Sequence, residues 1–280
     1  MSVRAADDSA RAAERALALL DRGDSTAASP LLEDAVTRFP RSAQLHYLLA
    51  RSYTLEARQS ANAVRLAYIG WNIGVELEAA LALDPSRSDA RLDLIRYYEL
   101  TPRILGGSPA KARWQAAELA RRDAARGAFA SGYLAYRGKE YGPARQSLRS
   151  AVTLAKDDET RILALTWLGW LSQETQQYDD ALAAFDGILA IDPKHAPALY
   201  EIGRTAVFSR HDLERGEEAL RRYLLSKPRF DEPSLATAHL QLGLLLEVKD
   251  DRDEARSEIK TALRLDPKVQ GGRAALRRLQ

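Results

Sequence analysis

The apolar residues in the second half of the chain recur at helical spacing, and prolines divide them into units of about 34 residues. In one such unit the following apolar residues would line a single buried seam: Leu165, Leu168, Leu182, Phe185, Ile188 and Leu189. Asp192 and Pro193 predict the end of the second helix of this unit, because proline lacks a backbone donor and restricts the residue before it. The pattern therefore predicts pairs of antiparallel helices.

Small residues at fixed spacing indicate where the two helices of a pair meet. Three triplets carry this spacing, the second of them with one residue inserted: Gly169, Ala181 and Pro193; Gly203, Gly216 and Pro228; Gly243, Ala255 and Pro267. Two helices approach closely only where side chains are small, since larger ones would force the pair apart. We therefore expect Gly169 to pack against Ala181.

The combination of Leu165, Leu168, Gly169, Ala181, Phe185 and Pro193 resembles the tetratricopeptide repeat family. The resemblance implies an all-α fold, a right-handed α-solenoid of about seven helical hairpins. The repeats are predicted at about 9–42, 43–87, 88–124, 125–158, 162–195, 196–230 and 236–269, and a short capping helix at 271–280. Because a solenoid carries its core from repeat to repeat, we expect one continuous domain over residues 1–280.

The second predicted repeat holds about eleven residues more than the common period. Eleven residues make about three helical turns, so we expect both helices of this hairpin to be longer than their neighbours. Tyr68 and Trp71 would lie at its projecting end. We expect these rings to pack against the loop around residues 104–105; if exposed, they would form a second contact site.

A glycine pair and a serine predict a tight reversal inside the third, irregular repeat. Gly106 and Gly107 allow the chain to turn, and Ser108 followed by Pro109 is a favourable start for the next helix. A glycine-rich loop before a helix can also bind an anion through free backbone donors. The lysine and spacing of a phosphate-binding loop are missing, which favours a simple turn.

Composition narrows the class of protein. Hydrophobic residues make up 46% of the 280 residues, there is no cysteine, and the net charge is +2. The hydrophobic content indicates a folded protein. The absence of cysteine excludes disulfides and thiolate metal sites, and the low net charge argues against a dedicated nucleic-acid binder. No apolar run reaches the length of about eighteen residues that a membrane span needs.

Eight lysines against 33 arginines, with abundant alanine, suggest a bacterial source. Residues 1–6 lack the apolar core of a secretion signal, so the protein is expected to be cytoplasmic, or periplasmic or exported if a signal peptide was removed. Residues 83–85, Tyr97 and Tyr98, and residues 101–112 resemble a group of bacterial repeat proteins that are commonly exported. This resemblance supports the second alternative.

In the tetratricopeptide repeat family the first helix of each hairpin lines the concave face. Carried onto this sequence, the resemblance implies a peptide-binding groove lined by Tyr47, Arg51, Phe129, Tyr133, Tyr136, Trp170, Gln173, Tyr200, Arg204 and Phe208. Rigid rings bury a large area at little entropic cost, and arginine offers a planar fork to carboxylates. Alternatively, neighbouring repeats bury these rings between them. The absence of asparagine at the matching positions argues against a clamp for acidic C-terminal tails.

No combination of residues predicts catalysis. The four histidines fall in different repeats, and His195 and His211 lie in predicted turns where we expect them to be solvated. The carboxylates at 157–159 and 250–254 are expected to be helix starts, where negative charge complements the helix dipole.

We therefore predict a non-enzymatic scaffold that binds a peptide or a partner helix in its groove, without cofactor, metal or nucleic acid. The alternative is a self-associating structural or envelope-assembly component. An oligomer is compatible with the sequence but is not predicted from it.

Overall fold

The computed structural model describes the backbone of residues 3–279 and the side chains of residues 7–279. These residues form fifteen α-helices and one 3-10 helix, with no strand among them. The prediction of an all-α repeat fold is confirmed. Met1, Ser2 and Gln280, which the predicted array includes, lie outside the described residues.

The chain divides into two compact units, unit 1 at Met1–Gly138 and unit 2 at Lys139–Gln280. Unit 1 contains α1 (Val3–Leu20), α2 (Ser25–Arg38), α3 (Ala43–Gln59), α4 (Ala63–Leu83), α5 (Ser88–Leu100), the 3-10 helix (Arg103–Leu105), α6 (Pro109–Arg122) and α7 (Ala124–Arg137). Unit 2 contains α8 (Tyr141–Leu154), α9 (Asp158–Glu174), α10 (Tyr178–Ile191), α11 (Ala196–Ser209), α12 (Leu213–Leu224), α13 (Leu235–Val248), α14 (Arg252–Leu265) and α15 (Gly272–Arg278). The expectation of one continuous domain stays a prediction.

Within each unit, consecutive helices pack against one another as hairpins, and each hairpin packs against the next. In unit 1, α1 packs on α2, α3 on α4 and α5 on α6, while α2 and α4 also contact the helix that follows each of them. Leu32, Leu45, Leu48 and Ile69 are fully buried in the first two of these hairpins. The core therefore runs along the stack instead of forming one central cluster, as repeat architectures require.

Unit 2 repeats this arrangement from α9 to α14, and α15 packs on α14. Phe185, Leu220, Tyr223 and Ile259 are fully buried in its core. The predicted capping helix at the end of the chain is confirmed, because Ala275 of α15 is buried in that core.

Small residues do lie where the helices of a pair approach. A Cβ atom built on Gly216 would lie 2.3 Å from Ala206 Cβ and 3.6 Å from Gly203 Cα, so these two helices meet almost backbone to backbone. In the preceding hairpin the atoms nearest to a Cβ atom built on Gly169 belong to the ring of Phe185. A glycine there makes room for an aromatic ring, and the expected packing of Gly169 against Ala181 stays a prediction.

The second hairpin contains the longest of the described helices. Helix α4 has 21 residues, whereas α3 has 17, the same as α9, and the neighbouring α1 has 18. The prediction that both helices are longer than their neighbours is therefore confirmed for α4 and wrong for α3. The expectation that Tyr68 and Trp71 pack against the following loop is wrong, because they are 50% and 54% exposed.

Helix α4 is also, among the described residues, the one helix long and apolar enough to cross a membrane on length and composition alone. It forms a hairpin with α3 in this fold, and its inward face, including Ile69 and Leu77, is buried. Length and composition alone are weak evidence for a span, and the prediction that the chain has none stays a prediction.

Side-chain caps set most of the helix starts. Ser108, Asp157 and Asp251 accept hydrogen bonds from the backbone nitrogens of Lys111, Thr160 and Glu254, as expected for residues at helix starts. Gly106 has a φ of 99°, which confirms the tight reversal before α6.

His195 does not fit the expectation of a solvated turn residue. Its side chain accepts a hydrogen bond from the backbone nitrogen of Ala198 and caps α11, and it is half-buried. His211, by contrast, is exposed as expected.

Candidate functional site

Glu201 joins the predicted groove residues of unit 2. It lies on α11 and is buried, and its Oε1 accepts a hydrogen bond from Trp170 Nε1 of α9 at 3.1 Å. Gln173 Nε2 donates to Glu201 Oε2 at 3.0 Å and to Thr205 Oγ1 at 2.8 Å. The first helices of two neighbouring hairpins are thus connected through one carboxylate.

Arg204 completes this network. Its guanidinium donates to Gln173 Oε1, and its Nε lies 2.9 Å from Glu201 Oε2. The same guanidinium lies 5.6 Å from the centre of the Phe208 ring. Glu201 balances the charge of Arg204, so Arg204 is not an unpaired cation. Its guanidinium group instead holds the network and the Phe208 ring in place.

The other predicted residues of unit 2 differ in how accessible they are. Tyr200 and Gln173 are buried, and the Tyr200 ring packs 5.5 Å from the ring of Tyr223. Trp170 is half-buried, whereas Phe208 is 51% exposed. Trp170, Arg204 and Phe208 therefore form the accessible part of this face.

A cavity of about 540 Å³ opens beside Trp170. Its lining includes Trp170, His195 and Glu201 from the α9 and α11 region, and Arg229, Glu232 and Pro233 from the connection between α12 and α13. That connection is anchored by Tyr223, whose hydroxyl donates to the carbonyl oxygen of Pro233. The cavity thus has an aromatic wall and one wall supplied by a loop.

The charges around this cavity are largely paired. Arg229 lies 3.6 Å from Asp231, and its backbone nitrogen donates to Glu232. Burial lowers the pKa of His195, although Asp192 and Glu232 oppose the shift. A neutral imidazole at this position suits its role as an acceptor at the start of α11.

In unit 1 a second cluster surrounds Tyr47. Its hydroxyl donates to Asp93 Oδ2 of α5 at 3.3 Å, and the guanidinium groups of Arg87 and Arg51 lie 4.7 Å and 5.9 Å from the ring centre. Arg96 also binds Asp93, at 3.1 Å. Burial raises the pKa of Tyr47, and the nearby Asp93 and Asp89 raise it further.

The predicted residues of α7 follow on this face. The guanidinium of Arg96 lies 6.0 Å from the centre of the Phe129 ring. Phe129 and Tyr133 are buried, and Tyr136 is half-buried. Burial raises the pKa of Tyr133. In this structure Phe129 and Tyr133 contribute to packing between helices, which was the alternative that the sequence left open.

Several residues that build these clusters were missed by the sequence reasoning. Asp93 and Arg96 lie in the third repeat, which has no packing glycine from which a position could be counted. Glu201 is adjacent to the predicted Tyr200 but does not occupy one of the positions that the family pattern predicts for the groove. The wall at Arg229 and Glu232 comes from the connection between the repeats predicted at 196–230 and 236–269, and the five residues left between these repeats were its signal in the sequence.

Within the described part of the chain, no group of three or more histidine, aspartate or glutamate side chains could hold a metal ion. What the arrangement offers chemically is aromatic surface, a cavity and fixed hydrogen-bonding groups.

Three family models match the chain, each described as tetratricopeptide repeat. They cover residues 6–68, 163–195 and 236–269. No curated protein matches the chain. The first match falls in unit 1 and the other two in unit 2.

Solved structures share the fold at low sequence identity. The chain is similar to a protein in the crystal structure of the APC/C hetero-tetramer Cut9–Hcn1, with a TM-score of 0.61, 17% identity and coverage of 94% of this chain and 48% of that one. It is similar to YrrB, which is described as a TPR protein with an unusual peptide-binding site. The TM-score is 0.51, the identity is 12%, and the match covers 72% of this chain and 97% of that one. It is similar to pilF of Pseudomonas aeruginosa, with a TM-score of 0.54, 17% identity and coverage of 99% of this chain and 98% of that one. The chain spans about half the length of the first of these.

Proposed function

This chain is a tetratricopeptide repeat protein, and we propose that it is a non-enzymatic scaffold whose unit 2 binds an extended peptide segment of a partner protein. The proposed site is the surface formed by Trp170, Arg204 and Phe208 together with the cavity beside Trp170. We call this surface the unit 2 groove.

The observation that carries the proposal is the cavity of about 540 Å³ beside a half-buried tryptophan. Tryptophan and arginine dominate the binding energy of many interfaces when they are rigidly held. Trp170 is held by Glu201, and Arg204 by Glu201 and Gln173. Groups that are fixed before binding lose little entropy when a partner arrives.

The balance of charge indicates what kind of segment fits. Glu201 and Arg204 neutralise each other, and Arg229 lies beside Asp231. The remaining wall is made of apolar surface from Trp170, Ile188 and two prolines. The groove is therefore suited to a peptide that inserts an aromatic or aliphatic side chain into the cavity, with a second apolar side chain on Phe208.

The likeness to YrrB supports this mode of binding in general terms. That protein is described as having an unusual peptide-binding site, and the match covers 72% of this chain. At 12% identity the likeness concerns the fold, so the residues of the proposed groove rest on the geometry of this chain alone.

Selection from a library of displayed random peptides on the immobilised full chain tests the proposal. We expect enrichment of peptides with aromatic or aliphatic residues. Their affinity, measured by isothermal titration calorimetry with synthetic peptides, should fall about tenfold or more in Trp170→Ala and in Phe208→Ala, as for truncated anchor residues.

Trp114→Ala is the matched control, because Trp114 is an exposed tryptophan on α6 of unit 1. Its affinity for the selected peptides should equal that of the wild type. Circular dichroism checks that all three variants keep the helical fold. Selected peptides that bind Trp170→Ala and Phe208→Ala as tightly as the wild type would show that the groove is not the binding site.

A further inference from the structure

A cavity of about 380 Å³ lies in unit 1 and is lined by residues of α4, α5 and α6. Leu81, Leu94 and Tyr98 give it buried apolar walls, and Trp114 adds a ring that is 59% exposed. Pockets that hold small molecules measure about 300–1,000 Å³. The cavity, which we call the unit 1 cavity, therefore has room for one small ligand.

Arg91 of α5 brings a buried positive charge to the unit 1 cavity. The residue is 6% exposed, and its guanidinium donates to the side-chain oxygen of Gln115 and, at 2.9 Å, to the carbonyl oxygen of Pro85. Both acceptors are neutral, and no carboxylate among the described residues forms an ion pair with Arg91. A buried charge is normally paired, because removing it from water costs free energy that neutral partners only partly return.

The surroundings of Arg91 offset this cost only in part. Burial lowers the pKa of Arg91 and the nearby Arg122 lowers it further, whereas Glu118 acts in the opposite direction. A guanidinium has five N–H donors, and the hydrogen bonds to Gln115 and Pro85 use two of them. An anion in the cavity would balance the charge of Arg91 and accept from donors that the fold leaves unused.

Gln115 places a further donor beside Arg91. Arginine donates and cannot accept, so the hydrogen bond between them fixes the oxygen of Gln115 toward Arg91 and leaves the NH2 group for another partner. Within the part of the chain that the structure describes, no group accepts from this NH2. Arg91 and Gln115 both line the unit 1 cavity, so their unused donors suit an acceptor such as a carboxylate.

The net charge of the lining indicates a ligand with one negative charge. Lys111 and Glu78 also line the cavity, and Lys111 Nζ lies 3.4 Å from Glu78 Oε1. Glu78 also accepts a hydrogen bond from the Tyr98 hydroxyl. Since Lys111 and Glu78 balance each other, the charge of Arg91 remains. A carboxylate carries one negative charge and fits the planar guanidinium, whereas a phosphate group carries close to two.

We propose that the unit 1 cavity binds a small aromatic monocarboxylate, with the carboxylate on Arg91 and Gln115 and the aromatic ring against Trp114. Aromatic rings pack on one another in offset or edge-to-face arrangements, and the exposed side of Trp114 is accessible to such a ring. The site belongs to unit 1. It does not rest on the peptide site proposed for unit 2, so either proposal can fail without the other.

Isothermal titration calorimetry of the full chain with phenylacetate, 3-phenylpropionate and 3-indolepropionate tests the proposal. We expect at least one of them to bind with a dissociation constant of about 1 mM or lower. The amide of that compound should bind about tenfold more weakly or worse, because it lacks the charge that pairs with Arg91. A failure of all three carboxylates to bind at this level would overturn the proposal, and so would equal affinity for acid and amide. Tighter binding of phenyl phosphate would contradict a carboxylate site and assign the cavity to phosphate esters.

Two variants locate the bound carboxylate. Arg91→Gln should reduce the affinity about tenfold or more, and Trp114→Ala should also reduce it, because the ring contact is lost. Trp71→Ala is the matched control, because Trp71 is a tryptophan of the same unit that is 54% exposed and does not line the cavity. It should bind like the wild type. Circular dichroism checks that the variants keep the helical fold, and an unchanged affinity in Trp114→Ala would show that the ligand lies elsewhere.

Glu78→Gln gives a test that does not depend on a loss of binding, and it decides the matter even where Arg91→Gln does not fold. The side chain of Glu78 is 51% exposed, so the change is expected to leave the fold intact. It removes the negative charge of the lining, and the carboxylate should bind about threefold more tightly or better. An affinity equal to or below that of the wild type would contradict the charge balance from which a carboxylate is inferred.

Discussion

The ring of Phe185 fills the space that a side chain on Gly169 would need. A Cβ atom built on Gly169 would lie 2.5 Å from two carbons of this ring, closer than real Cβ atoms approach other heavy atoms. Phe185 is fully buried, so its ring cannot turn aside into solvent. Within this hairpin the absence of one side chain is what allows a phenyl ring to join the core.

Overpacking of a core costs about 1–3 kcal/mol, and alanine brings a gain of about 1 kcal/mol to a helix interior. Gly169→Ala should therefore destabilise the protein by up to about 2 kcal/mol. Urea unfolding measures the change. The double variant Gly169→Ala/Phe185→Leu should lose less stability than the two single changes added together, because the shorter side chain relieves the clash.

Gly142→Ala is the comparison for that experiment. Gly142 lies in the first turn of α8, and a Cβ atom there would meet nothing within 4 Å. The variant should be as stable as the wild type or slightly more stable. Equal stabilities of Gly142→Ala and Gly169→Ala would contradict the packing argument.

The pair of His46 and Glu76 should make stability depend on pH. His46 Nδ1 lies 2.5 Å from Glu76 Oε2, and its Nε2 lies 3.1 Å from the carbonyl oxygen of Pro40. The hydrogen bond to Glu76 is the main reason that the pKa of His46 is raised, and burial opposes it. Only the protonated ring can donate from both nitrogens.

A raised pKa in the folded state means that the stabilisation is complete below the unfolded-state pKa of about 6.5 and is lost as the pH rises through the folded-state pKa. His46→Gln should therefore cost about 1–3 kcal/mol near pH 6 and less near pH 9. Urea unfolding of both proteins at the two pH values tests this. A cost that is independent of pH would mean that His46 is neutral in the folded protein.

His195 should show the opposite dependence. Burial lowers its pKa, so its contribution is present above the unfolded-state pKa of about 6.5 and is lost as the pH falls through the folded-state pKa. His195→Asn keeps a side-chain acceptor at the start of α11 but does not titrate. As the pH is lowered from 8 to 5.5, the stability of the variant relative to the wild type should therefore rise. A relative stability that falls over this range would contradict the lowered pKa of His195.

Removal of Glu201 should take away the carboxylate that Trp170, Gln173 and Arg204 share as an acceptor. Glu201→Ala should destabilise the protein by about 2–3 kcal/mol, since Gln173 and Arg204 then lose a charged partner. In a double-mutant cycle with Arg204→Ala, the two changes should couple by about 1 kcal/mol or more. Glu218→Ala, an exposed change on α12, should lie within about 0.5 kcal/mol of the wild type, and additive effects of Glu201→Ala and Arg204→Ala would argue against the network.

The repeat pattern predicts most of the fold because small residues and prolines fix where helices meet and end. The spacing of Gly203, Gly216 and Pro228 places α11 and α12, and α4 of the second repeat, where eleven extra residues were expected, is the longest described helix. The partner of Gly169 was beyond this reasoning. Spacing shows where a side chain must be small, but not which neighbour takes up the space.

The accessible surface is harder to predict than the fold. Phe129 and Phe208 are both predicted groove residues on first helices, yet the first is buried and the second is exposed. The difference depends on what neighbouring helices contribute, such as Arg96 of α5 beside Phe129. The α12–α13 connection carries no periodic signal, so its part in the cavity could not be read from the repeats.

The α12–α13 connection has a consequence for how the protein can evolve. Arg229, Glu232 and Pro233 line the cavity from a segment outside the helices of the hairpins. Insertions and replacements in such segments leave the stacked helices intact. Descendants of this chain could therefore acquire new ligand preferences by drift in one short loop, without passing through unstable intermediates.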